Sequence, residues 1–242
     1  MTSVTLVDRS DLAATLLSKL ELRPRQTAMV TIDMHRGHLD PEVATMPAAP
    51  EDAARVVANG ADALNYARDL GVPVIHVVLV WRQIPDIGSE AMVNPFWHSM
   101  QEIRDAENRL SPGRASTINE HNIEGRPGTQ IIPDLYCDGD YVIDNKKRLD
   151  CFMGTDLDGL LRTLGVANVC LMGINTNTCV LNTAFTAFNK DFRAVVLSDC
   201  VASMYGDDLH ELGLQNVFRC IGWVVDNDQF KAKLDAGRQL ND

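Results

Sequence analysis

The chain has 242 residues, of which 45% are hydrophobic, and a formal net charge of −11 at pH 7. This length and composition can fill one large core, and the negative charge argues against nucleic acid, which is bound through clustered Lys and Arg. No run of about 18 apolar residues occurs and charges are scattered through the N-terminus, so we expect a cytoplasmic chain with no membrane partner.

The first predicted elements form a βαβ unit behind an N-terminal arm. The arm, residues 1–26, contains one short predicted helix in DLAATLLSKLEL. The β-branched, apolar run TAMVTIDM predicts a buried strand. The segment EDAARVVANGADALNYARDLG then places apolar residues near helical spacing and stops at Gly71. A second buried strand, VPVIHVVLVW, follows it.

The same alternation returns in the second half of the chain. Strands are predicted in DYVIDN, NVCLMG, RAVVLSD and WVVDN, and helices in TDLDGLLRTLG, about 177–190 and DDLHELGLQNVF. Strands that are apolar on both faces and separated by helices imply a parallel sheet covered on both sides. We therefore predict an α/β fold, a Rossmann-like three-layer αβα sandwich with a mostly parallel central sheet, formed by residues 27–242 as a single domain.

Residues from about 82 to 130 interrupt this pattern, and Pro, Gly, Asn and charged residues dominate there. An irregular insertion of this length is usually a lid or a subunit contact. Together with the N-terminal arm, it predicts a homo-oligomer, either a dimer or a tetramer.

The six cysteines contain no C-x-x-C pair, so neither a zinc knuckle nor a dithiol is indicated. Cys170 in NVCLMG and Cys220 in RCIGWVV are expected to fill the core, because free cysteine is among the most buried residue types. Cys179, where GINTNTCV passes from strand to helix, can be either a reactive thiol or another small core residue.

Three chemically useful residues follow predicted strands, and ligands bind beyond the carboxyl ends of parallel strands. Asp33 could accept the thiol proton of Cys179 and return it to a leaving amine, while Lys146 holds the thiolate. A cation and a helix N-terminus would give Cys179 a low-pKa thiol. The backbone N–H groups of Asn175 and Cys179 could form an oxyanion hole. This chemistry needs neither a metal nor another cofactor.

Four segments, AMVTIDM, DYVIDNKKRLDCFMGTDLDGLLRTLGV, GINTNTCV and RAVVLSDCVAS, resemble the isochorismatase-like cysteine hydrolase family. That family includes nicotinamidases, N-carbamoylsarcosine amidases and ureidoacrylate hydrolases. The resemblance implies an isochorismatase-like fold with Asp33 as general base and acid, Lys146 as the charged member and Cys179 as nucleophile. The spacing to Phe152 favours Lys146 over Lys147. A cis peptide between Ile174 and Asn175 is also implied.

The sequence departs from the family pattern in several places. His35 replaces a Gln and could contact substrate or fill the same hydrogen-bonding place. WRQIPDIGSE stands where nicotinamidases carry metal ligands, so we predict no metal site. His35, His38 and Asp40 could be imagined as metal ligands, but we favour the interpretation that they are solvated or capping loop residues. Asp150 and Cys151 stand where Ser and Ala are usual, which leaves the shape of the site near Lys146 open.

Within the family that the sequence resembles, a cysteine nucleophile implies hydrolysis of a C–N bond in a small amide, carbamoyl or ureido compound, which we expect to be carboxylated. Arg82 or Arg114 could bind a substrate carboxylate bidentately, or both could be surface charges. The alternatives are a non-catalytic small-molecule-binding or scaffold domain, and a redox sensor in which Cys151 or Cys200 approaches Cys179. The residues expected to line the substrate site are His35, Trp81, Arg82, Phe96, Trp97, His98 and Arg114.

Overall fold

The computed structural model of the protein describes residues 5, 7, 9–110 and 116–240, with the backbone alone at residues 10 and 106–110. The strands are β1 (Thr27–Ile32), β2 (Val74–Leu79), β3 (Gln83–Ile84), β4 (Gly88–Ser89), β5 (Tyr141–Lys146), β6 (Asn168–Ile174), β7 (Arg193–Ala202) and β8 (Gly222–Val225). The α-helices are α1 (Ser10–Lys19), α2 (Arg36–Leu39), α3 (Pro50–Asp69), α4 (Pro95–Leu110), α5 (Leu157–Thr163), α6 (Leu181–Asn189), α7 (Asp207–Asn216) and α8 (Asn227–Gln239).

Six of these strands form one sheet in the order β5-β2-β1-β6-β7-β8, and every neighbouring pair is parallel. The predicted parallel sheet is therefore confirmed. The chain leaves β1 towards β2 on one side, and later returns to place β6 on the other side. The carboxyl ends of β1 and β6 consequently flank a topological switch point, where open parallel sheets bind ligands.

Helices cover both faces of the sheet, as predicted. Successive residues of a strand point to opposite faces, so Met29 and Cys170 join one apolar cluster while Val30 and Leu171 join the other. The first cluster includes residues of α3 and α8, and the second includes residues of α5 and α6. Burying each Leu or Val side chain stabilises such a core by roughly 1.5–3 kcal/mol.

The C-terminal helix α8 was not foreseen from hydrophobic periodicity. Its N-cap residue Asp226 accepts a hydrogen bond from the backbone N–H of Gln229 at 2.7 Å. The side chain of Gln229 accepts one from the backbone N–H of Asp226 at 3.3 Å in return. This reciprocal capping box is the sequence signal for the start of α8, and Phe230 and Leu234 then anchor the helix in the core.

The insertion is more regular than predicted, because α4 occupies 16 of its residues. The expectation of an irregular segment was wrong there. Trp97 and Met100 have the spacing of one helix face, but the polar residues that dominate the rest of the segment conceal the helical periodicity. These two side chains pack against a third apolar cluster built around Trp81. Gln101 on the same helix accepts hydrogen bonds from the backbone N–H groups of Ile118 and Asn119, at 2.7 and 2.9 Å. The returning half of the insertion is thereby fixed to α4.

Two further expectations concern small features. Cys170 is a buried core residue, as predicted, but Cys220 is exposed. The wide turn Val217–Ile221 buries its two ends and leaves Cys220 on the outer side.

In the N-terminal arm, α1 docks against β8, where Trp223 Nε1 donates to the Leu16 carbonyl at 2.9 Å. Among the described residues, no helix has both the length and the apolar character needed to cross a membrane.

Candidate active site

Asp33 directly follows β1, and its side chain is fully buried. Its backbone turns at a φ of +54°, a conformation that Asp tolerates better than most residues. Oδ1 accepts a hydrogen bond from the backbone N–H of Leu79 at 2.8 Å. The carboxylate is therefore held across the end of the neighbouring strand β2.

Lys146 is the last residue of β5 and lies opposite Leu79 in the β2–β5 register. Its side chain is fully buried, and Nζ donates to Oδ2 of Asp33. Burial lowers the pKa of Lys146, but the charges of Asp33 and nearby cysteines outweigh it and raise the pKa above its usual value. Lys147 instead donates to the carbonyl of Val80. The lysine that meets Asp33 is thus Lys146.

The turn after β6 positions Cys179. The peptide bond between Ile174 and Asn175 is cis, and residues Thr176–Val180 form a wide turn that leads into α6. The carbonyl of Asn175 accepts from the N–H groups of Thr178 and Val180, at 3.2 and 3.1 Å. The side-chain Oδ1 of Asn175 accepts from the N–H of Met204 at 2.9 Å, which ties the turn to the end of β7.

Cys179 is 4% exposed, and its thiol lies beside Asp33 and Lys146. Burial raises its pKa to about 12, Lys146 lowers it, and the charge of Asp33 and a hydrogen bond to that carboxylate raise it. The expected low-pKa thiol is therefore wrong for the free protein. The Lys146 charge is already matched by Asp33, so the thiol of Cys179 keeps its proton in the free protein.

Asp150 and Cys151 join the segment after Lys146 to α6, the helix that follows the turn containing Cys179. Asp150 Oδ2 accepts from Thr186 Oγ1 at 2.9 Å, and the N–H of Cys151 donates to Thr183 Oγ1 at 3.1 Å. Cys151 is buried in the same apolar cluster as Cys179. Cys200, the other cysteine considered as a redox partner, belongs to the cluster on the opposite face of the sheet.

Three histidines form a buried group next to the carboxylate. His35, His38 and His121 are 0%, 5% and 3% exposed, so the interpretation of His35 and His38 as solvated residues was wrong. His35 is the N-cap residue of α2, but its side chain makes no capping hydrogen bond. Burial lowers the pKa of all three, and of His35 and His121 well below the usual value. His121 comes from the insertion, and no sequence motif connected it to the other two.

A chain of hydrogen bonds joins this group to Asp33. Nε2 of His35 lies 2.6 Å from Nδ2 of Asn122, which also donates to the carbonyl of Leu79 at 2.7 Å. The N–H of Leu79 is the group that binds Asp33. Two residues, Asn122 and Leu79, therefore link His35 to the carboxylate of Asp33.

The other residues expected around a substrate are dispersed. Trp81 and Trp97 pack edge to face with ring centres 5.2 Å apart in the core of the insertion. Phe96 and His98 are exposed on α4. The guanidinium of exposed Arg82 lies 3.5 Å from Glu90. Arg114 lies outside the described residues.

Arg104 was missed by the sequence analysis. Its Nη1 donates to Ser116 Oγ at 2.8 Å, while Nε is buried without a hydrogen-bond partner. Burial raises the pKa of Tyr205, and that phenol also senses the charges of both Arg104 and Cys179. Tyr205 therefore lies within electrostatic reach of both Arg104 and Cys179. The sequence signal that could have identified Arg104 is its position on the same face of α4 as Trp97, about two helical turns later.

Comparison with known proteins identifies the family of the chain. The isochorismatase domain model matches residues 27–229, which is most of the chain. The chain belongs to the isochorismatase domain family. The resemblance seen in the sequence is thereby confirmed.

Relatives in this family include ureidoacrylate amidohydrolases. RutB of Agrobacterium fabrum is 25% identical over 234 residues, which cover 92% of this chain and 96% of that protein. A cysteine hydrolase from Pseudomonas syringae pv. phaseolicola 1448A has a similar structure, with a TM-score of 0.69 at 20% identity over 90% of this chain and 96% of that one. N-carbamoylsarcosine amidase from Thermoplasma acidophilum superposes with a TM-score of 0.62 at 24% identity, covering 84% and 97%. These two structures confirm the fold.

Proposed function

We propose that the protein is a cysteine amidohydrolase that cleaves a C–N bond of a small carboxylated amide, carbamoyl or ureido compound through a thioester on Cys179. The observation that carries this proposal is the buried Lys146–Asp33 ion pair beside the thiol. A buried ion pair stabilises a fold little compared with apolar residues of the same volume. A scaffold domain would have no use for it, whereas a cysteine nucleophile would.

Asp33 acts as base and then as acid. As Sγ of Cys179 attacks the carbonyl carbon, the thiol proton moves to Asp33, so no free thiolate accumulates. Lys146 remains an ammonium throughout and offsets the negative charge that passes from carboxylate to sulfur. The raised pKa of the thiol suits this order of events, because deprotonation is coupled to attack.

The intermediate then collapses to products. The carbonyl oxygen becomes an oxyanion, which the backbone N–H groups of Asn175 and Cys179 stabilise, each by roughly 3–4 kcal/mol. The C–N bond breaks as Asp33 returns its proton to the leaving nitrogen, and the acyl group stays on sulfur as a thioester. Water attacks the thioester and gives a proton to Asp33. The C–S bond then breaks, Asp33 returns that proton to Sγ of Cys179, and the carboxylic product leaves. None of these steps requires a metal ion.

The acidic character of the substrate is supported by Arg104. Its Nη1 is bound to Ser116 Oγ, but the buried, unpartnered Nε could form a bidentate pair with a carboxylate together with Nη2. Of the two arginines suggested by the sequence, Arg82 is exposed and paired with Glu90, and Arg114 lies outside the described residues. Arg104 is therefore the carboxylate ligand that we propose. The ureidoacrylate amidohydrolase relatives make a ureido acid the first substrate to try.

The predicted homo-oligomer is part of the same proposal. Large apolar side chains of the insertion are exposed, with Val93 at 60%, Phe96 at 66% and Ile103 at 50%. A second copy of the chain would cover them. Light scattering after size-exclusion chromatography tests this, and a monomer at micromolar concentration would contradict it.

A panel of carboxylated and uncharged amides, carbamoyl and ureido compounds, followed by ammonia release, tests the activity. We expect turnover of the carboxylated members and a trapped acyl-enzyme on Cys179 in the mass spectrum. Cys179→Ala should abolish both, while Cys151→Ala, a buried cysteine in the same cluster, should retain acylation at Cys179. Turnover by folded Cys179→Ala at the wild-type rate would disprove the covalent scheme, and turnover of uncharged compounds alone would disprove the substrate class.

A further inference from the structure

We propose that His35, His38 and His121 together form a binding site for one divalent transition-metal ion of the zinc type. The site is additional to the cysteine chemistry and uses none of its groups. The three residues come from the end of β1, from α2 and from the insertion. They therefore meet only in the folded chain.

The ring positions suit a shared ion. One nitrogen of each ring lies within 4.8 Å of the ligating nitrogens of the other two. The ring centres are 4.8, 5.6 and 4.6 Å apart. Imidazoles that share one ion at an N–metal distance of about 2.0–2.1 Å have ring centres on the order of 5 Å apart. Small side-chain rotations would bring the nitrogens from their present separation to the closer spacing of a tetrahedral site.

Each ring uses one nitrogen for the protein and keeps the other for a ligand. Nδ1 of His38 lies 2.6 Å from the carbonyl of Met46, and Nδ1 of His121 lies 2.9 Å from Thr45 Oγ1. Such outer hydrogen bonds fix the ring and its tautomer in metal sites. Nε2 of His121 is then left buried with no partner in the protein.

His35 repeats this arrangement with Asn122. Its Nδ1 is buried without a partner, while Nε2 faces the Asn122 amide at 2.6 Å. Binding a metal through Nδ1 requires Nε2 to carry the proton, so Asn122 must then turn its oxygen to the ring and give up the hydrogen bond from its Nδ2 to the carbonyl of Leu79. That oxygen is itself buried without a partner in the described structure. Metal binding would therefore satisfy two buried ring nitrogens, Nδ1 of His35 and Nε2 of His121, that the protein alone leaves without a partner.

The ligand set indicates the class of ion. Three neutral imidazoles favour Zn²⁺, Co²⁺ or Ni²⁺ over Mg²⁺ and Ca²⁺, which prefer oxygen ligands. Three protein ligands also leave a fourth position for water or for an atom of a bound molecule. The link from His35 through Asn122 and Leu79 to Asp33 places that position close to the proposed substrate site.

The test measures binding on the whole chain after chelator treatment and dialysis. Zn²⁺ is titrated in competition with a chromophoric chelator, and metal content is measured by plasma mass spectrometry. The visible spectrum of the Co²⁺ form reports the ligand atoms. The variants are His38→Ala and His121→Ala, with circular dichroism to check folding. His98→Ala, at an exposed histidine on α4, and Cys179→Ala are the controls.

We expect one ion per chain, roughly 100-fold weaker binding in each cluster variant, and unchanged binding in both controls. The Co²⁺ spectrum should show nitrogen ligation without a sulfur charge-transfer band. The site is disproved if wild-type protein binds neither ion, if both folded cluster variants bind as tightly as wild type, or if sulfur ligates Co²⁺. The spectrum decides even where the variants fail to fold. Binding by inactive Cys179→Ala separates this proposal from the hydrolase proposal.

Discussion

The ammonium group of Lys146 donates to Oδ2 of Asp33, and both side chains are completely shielded from solvent. The other carboxylate oxygen is occupied by the N–H of Leu79. Asp33 therefore has a fixed orientation and a matched charge before any substrate arrives. The proton acceptor of the proposed reaction is preorganised by the same strand ends that make the sheet.

Replacing Lys146 by Met should leave the charge of Asp33 buried without its partner. Removing one member of a buried pair typically destabilises a protein by about 3–5 kcal/mol, and we expect kcat/KM to fall by roughly 10³-fold or more. Urea unfolding and steady-state kinetics measure the two effects.

Lys147→Met is the matched control, because Lys147 contacts the Val80 carbonyl and not Asp33. We expect its kcat/KM to stay within a few-fold of wild type. The double variant Lys146→Met/Asp33→Asn should recover stability relative to Lys146→Met while remaining inactive. Equal losses of activity in the two lysine variants would contradict the assignment.

Alkylation by iodoacetamide should be slow at Cys179 in the free protein. Because burial raises the pKa of this thiol to about 12, it is protonated at pH 7, and its reactivity should increase continuously as the pH rises above 8. The exposed thiols of Cys137 and Cys220 should react first at neutral pH. Peptide mapping of the adducts over time measures the order. Fastest labelling of Cys179 below pH 7 would restore the low-pKa thiol expected from the sequence.

Arg104→Met should affect binding of a carboxylated substrate more than the chemical step. Loss of the bidentate partner should raise KM by roughly 10–100-fold, equivalent to about 1.5–3 kcal/mol for a hydrogen bond to a charged group. Arg82→Met removes an exposed arginine of the same insertion, paired with Glu90, and should leave KM near wild type. Parallel titrations of the two variants decide the matter. Should Arg82→Met alone raise KM, the carboxylate would belong to Arg82.

His76 should make the fold less stable in mild acid. The ring is buried in β2 between Thr31 Oγ1 at 2.8 Å and Asp140 Oδ2 at 3.0 Å, and burial lowers its pKa. Below the unfolded value of about 6.5, only the unfolded chain takes up this proton, so the unfolding free energy falls as pH falls.

Urea unfolding of chelator-treated protein at pH 7 and pH 5.5 measures this effect. In His76→Gln the pH dependence should become shallower by up to about 1.4 kcal/mol per pH unit. His98→Gln, which changes an exposed histidine, should follow the wild-type curve. Identical curves for wild type and His76→Gln would show that folding does not lower the pKa of His76.

The sequence allowed prediction of those site residues that follow strands. Asp33, Lys146 and Cys179 could be placed near one another because parallel strands end on one edge of the sheet. His121 and Arg104 could not, since both lie in the insertion, whose path across the site depends on contacts such as Gln101 with Ile118. The state of the thiol also depends on burial and on charge pairing, which periodicity does not report.

The packing of α7 against the turn Thr176–Val180 gives a final test of how Cys179 is positioned. A Cβ at Gly213 would lie 3.1 Å from Cα of Asn177 and 3.2 Å from the carbonyl carbon of Thr176, so Gly213→Ala must displace the turn slightly. We expect kcat to fall roughly tenfold, because small displacements of reacting groups reduce rate strongly. Gly159→Ala is the matched control, since no atom lies within 4 Å of its added Cβ in α5. It should raise stability by about 0.5–1 kcal/mol through helix propensity, with unchanged kcat. Equal kcat values for the two variants would show that α7 does not position Cys179.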